Sequence, residues 1–217
     1  MIWMFGIVGF SVVSYSTVSL VTVFGNNYLE QVIIGNLLGD AWLERKSPTA
    51  NARLRYEQTH PNHSEQFFFV WKFYAMWCVG YATIRTRFDK RSNTTRYINH
   101  FTTRSMPFFT YYYNLFYVNG VKTVPINIGS FLTAVSLAFW IIDDGHHNKG
   151  LVLNTQGFSI DGVNLLVSAL NTNFGFHSYI RYEDKLPVIY IPVRDLPLLR
   201  TLVLSHIHPS THYKLGI

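Results

Sequence analysis

Ile33-Ile34-Gly35-Asn36-Leu37-Leu38-Gly39-Asp40-Ala41 and, half a chain later, Leu137-Ala138-Phe139-Trp140-Ile141-Ile142-Asp143-Asp144-Gly145 decide how this chain is read. Each is a short apolar run with helical character that ends in an aspartate. A carboxylate in the last turn of a helix sits against the negative end of the helix dipole, at a cost of roughly 0.3–1 kcal/mol. Two such placements imply that positive charge lies between the acids.

Working outward, each run opens a similar series of elements. Gln31–Leu43 reads as a helix after a cap near Asn26 or Asn27, and 53–59 alternates as a half-buried strand. A turn at His60-Pro61-Asn62 leads to a helix over Ser64–Val79. Strand-like runs surround 84–87 and 96–101, turned at Ser92-Asn93, and a helix covers Pro107–Tyr117. After Asn119-Gly120 and Pro125 the series repeats. A helix over 129–144 is followed by a strand at 151–155 and a helix at 159–173. Strands at 177–182 and 188–191 are joined by Glu183-Asp184-Lys185, and a last helix lies near 196–205. The expected fold is α+β, with two pseudo-symmetric αββαββα halves. The halves are placed at 26–121 and 129–217, with a linker at 122–128.

Of the chain's 217 residues 48% are hydrophobic, enough for a sizeable core, and the net charge is +6. Eleven of the 18 Lys and Arg fall between Arg45 and Arg104, a clustering that fits a polyanion-binding face. The single cysteine, Cys78, excludes an internal disulfide and a thiolate zinc site, and it reads as a core residue. No charged side chain precedes Glu30. Residues 1–25 are therefore read as an apolar leader or a membrane segment; an added buried strand or helix is the third reading, and a basic n-region for secretion is missing. No phosphate-cradling GxxxxGK[ST] loop or nucleophile elbow is present, so no dependence on ATP is expected. His146-His147-Asn148 reads as a loop or a minor contact to such a polyanion, and His206, His208 and His212 as surface or packing residues, rather than a metal centre.

The two runs, with Lys122-Thr123-Val124-Pro125 before the second, Leu153-Asn154-Thr155-Gln156 after it and Tyr213-Lys214-Leu215 near the end, resemble the LAGLIDADG homing endonucleases of the single-chain, two-motif group. The resemblance covers about residues 30–217. It departs from the family pattern where Gly35 is matched by Phe139, Ala41 by Gly145 and Gly39 by Asp143. Small-against-large packing is expected at the first of these. Asp143 is expected to be a local hydrogen-bonding residue rather than another equivalent acid.

The resemblance implies that the two motif helices pack side by side at the base of a DNA-binding saddle of antiparallel sheets. It implies metal-assisted hydrolysis of both strands across the minor groove, leaving short 3′ overhangs. Asp40 and Asp144 are the expected catalytic and metal-binding acids, with Mg²⁺ as cofactor and Mn²⁺ or Ca²⁺ as substitutes. Lys122 and Lys214 are the expected catalytic lysines. Strand parity groups Arg53, Arg55, Glu57 and Thr59, then Arg85 with Arg87, Asn154 with Gln156, and Tyr179 with Arg181, as DNA-reading sets. Lys90, Arg91, Arg96 and Arg104 are expected on phosphates. The implied protein is a monomeric endonuclease encoded by a group I intron, with double-stranded DNA as partner, in the mitochondrion or alternatively the chloroplast. The rival reading is an RNA maturase on the same fold that binds intron RNA; keeping both Asp40 and Asp144 favours the nuclease.

Overall fold

The computed structural model describes residues 28–90 and 93–217. The apolar run of residues 1–25 and Arg91 lie outside them. Helix α1 (Tyr28–Leu38) buries nearly every residue from Leu29 on, as a helix apolar all round must. It is followed by β1 (Trp42–Glu44), β2 (Arg53–His60), α2 (Ser64–Tyr74), β3 (Thr83–Asp89), β4 (Thr94–Thr102) and α3 (Pro107–Phe116). A short hairpin, β5 (Tyr117–Val118) and β6 (Val121–Lys122), leads to the second half. That half comprises α4 (Ala134–Asp144), β7 (Gly145–Asn148), β8 (Gly150–Asn154), α5 (Ile160–Phe174), β9 (Tyr179–Glu183), β10 (Leu186–Ile191) and α6 (Leu196–Val203). Both halves are αββαββα, with antiparallel sheets ordered β1-β2-β4-β3 and β7-β8-β10-β9.

Two differences from the sequence expectation have local causes. Residues His146-His147-Asn148, read as a loop, form β7 by pairing with β8, because the polar run is an edge strand whose partner supplies the apolar content. The residues just before the expected linker form a hairpin. Asn119 (φ 51°) and Gly120 (φ 77°) take the two left-handed positions of a tight turn, which suits the twist of paired strands. That turn fixes where Lys122 lies.

The centre of the molecule is the α1–α4 pair. Gln31 accepts from the Thr133 hydroxyl at 2.6 Å, and a methyl at Gly35 would lie 2.3 Å from the Ser136 carbonyl oxygen and 2.7 Å from Phe139 Cβ. A methyl at Gly39 would lie 2.4 Å from Asp143 Cβ. These contacts ascend together along both helices, so the pair runs parallel and both C-terminal ends finish at one place. The small-against-large packing of Gly35 on Phe139 is what permits the approach. Thr133 caps α4 in a reciprocal box with Ser136. Around the pair lies one continuous core, from Tyr56, Phe67, Tyr74 and Phe101 in the first half to Leu151, Leu153, Ile189 and Ile191 in the second. Cys78 belongs to it, and burial pushes its thiol up to about 11. Among the described residues no helix is long and apolar enough to cross a membrane.

Candidate functional site

At the shared end of α1 and α4 the main chain leaves helical geometry, and unpaired carbonyls collect there. Helix α1 closes with a wide bond from Ala41 N–H to the Asn36 carbonyl, 2.9 Å. Lys122 Nζ donates to the carbonyls of Gly39 (3.0 Å) and Ala41 (2.8 Å), on either side of Asp40. Lys214 Nζ donates to the carbonyls of Ile142 and Asp143, the latter at 3.0 Å, just before Asp144. Each lysine thus caps one motif helix with positive charge, where the dipole asks for it. The positive charge implied by the two acids is therefore present in the protein itself.

The acids sit in a strained electrostatic setting. Burial pushes the Asp144 carboxyl up to about 7, Asp40 adds to this, and Lys122 and Lys214 oppose it. Asp40 is exposed to solvent yet densely surrounded. Desolvation raises its pKa, against a hydrogen bond from Gln58 and the charges of Lys214, Lys122 and His63. Burial lowers Lys122 to about 8, although all three aspartates pull it upward. Lys214 is lowered by the same burial. Acids and amines that perturb one another in this way are the electrostatic pattern of a candidate functional site.

Asp143 is a different kind of acid. It is buried, and the bonding expected to be local is not: all its carboxylate bonds reach into the first half. Oδ2 accepts from Asn36 Nδ2 (2.9 Å) and Asp40 N–H (3.3 Å), and Oδ1 accepts from the Tyr56 hydroxyl at 2.6 Å. The Tyr74 hydroxyl holds Asn36 at 3.0 Å. Gln58 Nε2 donates both to Tyr56 Oη (3.2 Å) and to Asp40 Oδ2. Parity on β2 puts Gln58 on the core side, and this is why a search for outward polar residues passes over it.

Asp40 and Asp144 offer hard oxygen donors. Among the described residues no cluster of three or more His, Cys, Asp and Glu groups could hold an ion by itself. The donor set fits a divalent cation that completes its shell with water and phosphate oxygens, the habit of Mg²⁺.

The sheet register places most of the other expected residues on one surface. Directly paired residues share a face. Trp42 pairs with Arg55, which pairs with Thr102, while Glu57 pairs with His100 and His100 with Thr83. Thr59, Ile98 and Arg85 form the next row, and Arg87 faces Arg96. Arg53, Arg55, Glu57, Thr59, Arg85, Arg87 and Arg96 therefore stand on one face, opposite the buried Leu54, Tyr56 and Gln58. Lys90 extends its tip: with Arg87 and Arg96 it lines a groove of about 410 Å³. Arg104 is exposed just past β4. The face is not bare positive charge. Glu44 pairs with Arg53 (2.7 Å) and Arg55 (3.4 Å), Glu57 with Arg87 (2.9 Å) and Asp89 with Arg96 (3.1 Å).

The second sheet differs. Arg181 pairs with Val188 and Val188 with Asn154; Tyr179 pairs with Tyr190, Tyr190 with Val152 and Val152 with His146. This face carries Asn154, Tyr179 and Arg181 as expected, and also His146 and Asn148, on a strand where a loop was expected. The Arg181 guanidinium lies 4.2 Å from the Tyr190 ring centroid. Gln156 falls beyond the strand, in the turn that follows, 3.4 Å from Asn154 Oδ1.

The sequence profile of the LAGLIDADG DNA endonuclease family matches residues 30–199. The probable intron-encoded endonuclease 1 of Wickerhamomyces canadensis is 30% identical over 197 residues, covering 86% of this chain and 83% of the relative. The cytochrome b mRNA maturase bI2 of Debaryomyces hansenii is 29% identical, covering 86% and 72%. Among solved structures, that of the homing endonuclease I-WcaI bound to its DNA recognition sequence superposes with a TM-score of 0.79 at 27% identity, covering 87% of this chain and 85% of the other.

Proposed function

The chain belongs to the LAGLIDADG DNA endonuclease family, and on that premise we propose how it works: Asp40 and Asp144 each serve the hydrolysis of one strand of a DNA duplex laid across the two sheets. The protein is a site-specific DNA endonuclease with DNA as its partner, and enzymes of this family use divalent metal ions. The observation that carries the proposal is the parallel α1–α4 pair, which delivers both acids and both capping lysines to one end of the molecule.

Mg²⁺ is the proposed ion, with Mn²⁺ or Ca²⁺ as substitutes at the site. When bound it would supply Lewis-acid polarisation of the phosphodiester and of a water. The remaining chemistry is the protein's own. Asp40 and Asp144 would hold the ion by carboxylate oxygens. Lys122 and Lys214, already fixed by two carbonyls each, stabilise charge that develops on the phosphate. Gln58 orients the Asp40 carboxylate. Cleavage across the minor groove leaves short 3′ overhangs.

The first sheet reads its half-site in the major groove through Arg53, Arg55, Glu57, Thr59, Arg85 and Arg87; the second uses Asn154, Gln156, Tyr179 and Arg181. Lys90, Arg91, Arg96 and Arg104 contact phosphates. Residues 26–121 and 129–217, joined through 122–128, act as the two halves of a monomer. The yeast sources and intron-encoded character of its relatives support a mitochondrial location, with the chloroplast as alternative. A second reading, maturase activity on intron RNA, is favoured by one observation, the similarity to cytochrome b mRNA maturases. Splicing assays with protein lacking both acids separate it from the nuclease role.

Selection of cleavable duplexes from a randomised DNA library tests the main proposal. It should return one long, largely asymmetric site. Recovery of no duplex, or cleavage without sequence preference, would refute it.

A further inference from the structure

We infer that Asp143, a residue of the second half, is the positioning residue of the first half's cleavage centre, acting through Tyr56 and Gln58. The inference rests on the assignment of Asp40 and Asp144 to one strand each.

The motif register aligns Asp143 with Gly39, so only one of the two halves carries a side chain at this step. Among the described residues the Asp143 carboxylate makes no hydrogen bond within its own half. Its two oxygens take three donors from the other: Asn36 Nδ2, the Asp40 N–H and the Tyr56 hydroxyl. One of these is the main chain of the catalytic acid itself. Another begins a relay, because Gln58 Nε2 bonds Tyr56 Oη and Asp40 Oδ2 together. Asp143 therefore fixes Asp40 twice, directly at the backbone and indirectly at the carboxylate.

Among the described residues no such device exists on the other side. Leu43 pairs with Leu54 in the first sheet and His147 with Leu151 in the second, each three residues after its acid, so Tyr56 and Gln58 correspond to Leu153 and Thr155. Leu153 has no hydroxyl to offer. The Thr155 hydroxyl donates to the Pro187 carbonyl at 2.8 Å instead. Among the described residues Asp144 has no side-chain hydrogen-bond partner. A buried carboxylate seldom stabilises a fold better than an apolar residue of the same size. Three well-placed donors across an interface do define geometry, and groups that orient the residues holding a metal commonly affect activity by about 10–100-fold. The two centres are thus built unequally.

The test is strand-resolved cleavage of a duplex that the wild-type protein selects from the randomised library, labelled at either 5′ end. Wild type, D40N, D144N, D143N and Y56F are compared, with DNA affinity and thermal melting measured for each. D143N and Y56F should slow the strand that D40N fails to cut by about 10–100-fold, alter the other by less than about twofold, and leave affinity unchanged. If D143N does not fold, Y56F, which deletes one oxygen, decides alone. Equal slowing of both strands, or slowing of the Asp144-dependent strand, overturns the inference while D40N and D144N still separate the strands. If those two variants do not separate the strands, the assignment beneath it fails and the inference falls with it.

Discussion

Three acids and two lysines crowd one helix junction, and their protons are the first consequence. Asp144 titrates near 7, well above an ordinary carboxylate near 4, so the folded protein holds that proton more tightly than the unfolded chain. Its contribution to metal-free stability is fully present in acid and is lost as pH rises through about 7. Lys122, lowered to about 8, has the opposite slope, and stability returns as pH climbs from there toward the usual lysine range. Thermal melting of the metal-free protein should therefore pass through a minimum between about pH 7 and 8. Asp144→Asn should flatten the acid limb, and added Mg²⁺ should raise the midpoint most within that window. A maximum there instead would contradict the assigned shifts. The acids and lysines were legible in the sequence because motif and flanks mark them. Gln58 and the reach of Asp143 were not: alternation marks Gln58 only as inward-facing, and nothing local says that Asp143 bonds across to a tyrosine on β2.

The motif helices meet through glycine. Gly35 and Gly39 leave no room for a methyl against Ser136, Phe139 and Asp143. Gly35→Ala must push α1 from α4 or shift the Ser136 backbone. An overpacking cost of about 1–3 kcal/mol follows, measurable by urea unfolding. Cleavage should fall further than DNA affinity, since the acids separate while the sheets keep their faces; unchanged stability and cleavage would remove the close helix contact from the account. Most elements were readable from period and turn chemistry, including both central helices and the β9–β10 turn at Asp184 (φ 48°) and Lys185 (φ 67°). Strands β1 and β7 escaped because three or four residues show no period, and their existence depends on pairing with β2 and β8. The strand period did predict which side chains of β2 and β3 share a face, because a side-chain alternation of two is set by the backbone alone.

Across the whole molecule the charge is lopsided. The first outer face carries five arginines partly tied to Glu44, Glu57 and Asp89. The second carries Arg181 stacked on Tyr190, over a small apolar cluster of Val152, Val188 and Tyr190. Binding should weaken steeply with salt, mainly through the first half. Lys90→Ala should lower the log–log salt slope by about 1 and weaken all sequences alike, whereas Arg85→Ala should cost about 1–3 kcal/mol and relax preference at one position of the site. A salt-independent affinity would contradict a DNA-binding face.

Strand-resolved cleavage by Asp40→Asn and Asp144→Asn on the selected duplex asks directly whether each acid serves one strand. Both variants should bind as wild type does, and each should nick a single strand, the two variants nicking opposite ones. Full cleavage of both strands by either variant would contradict that assignment.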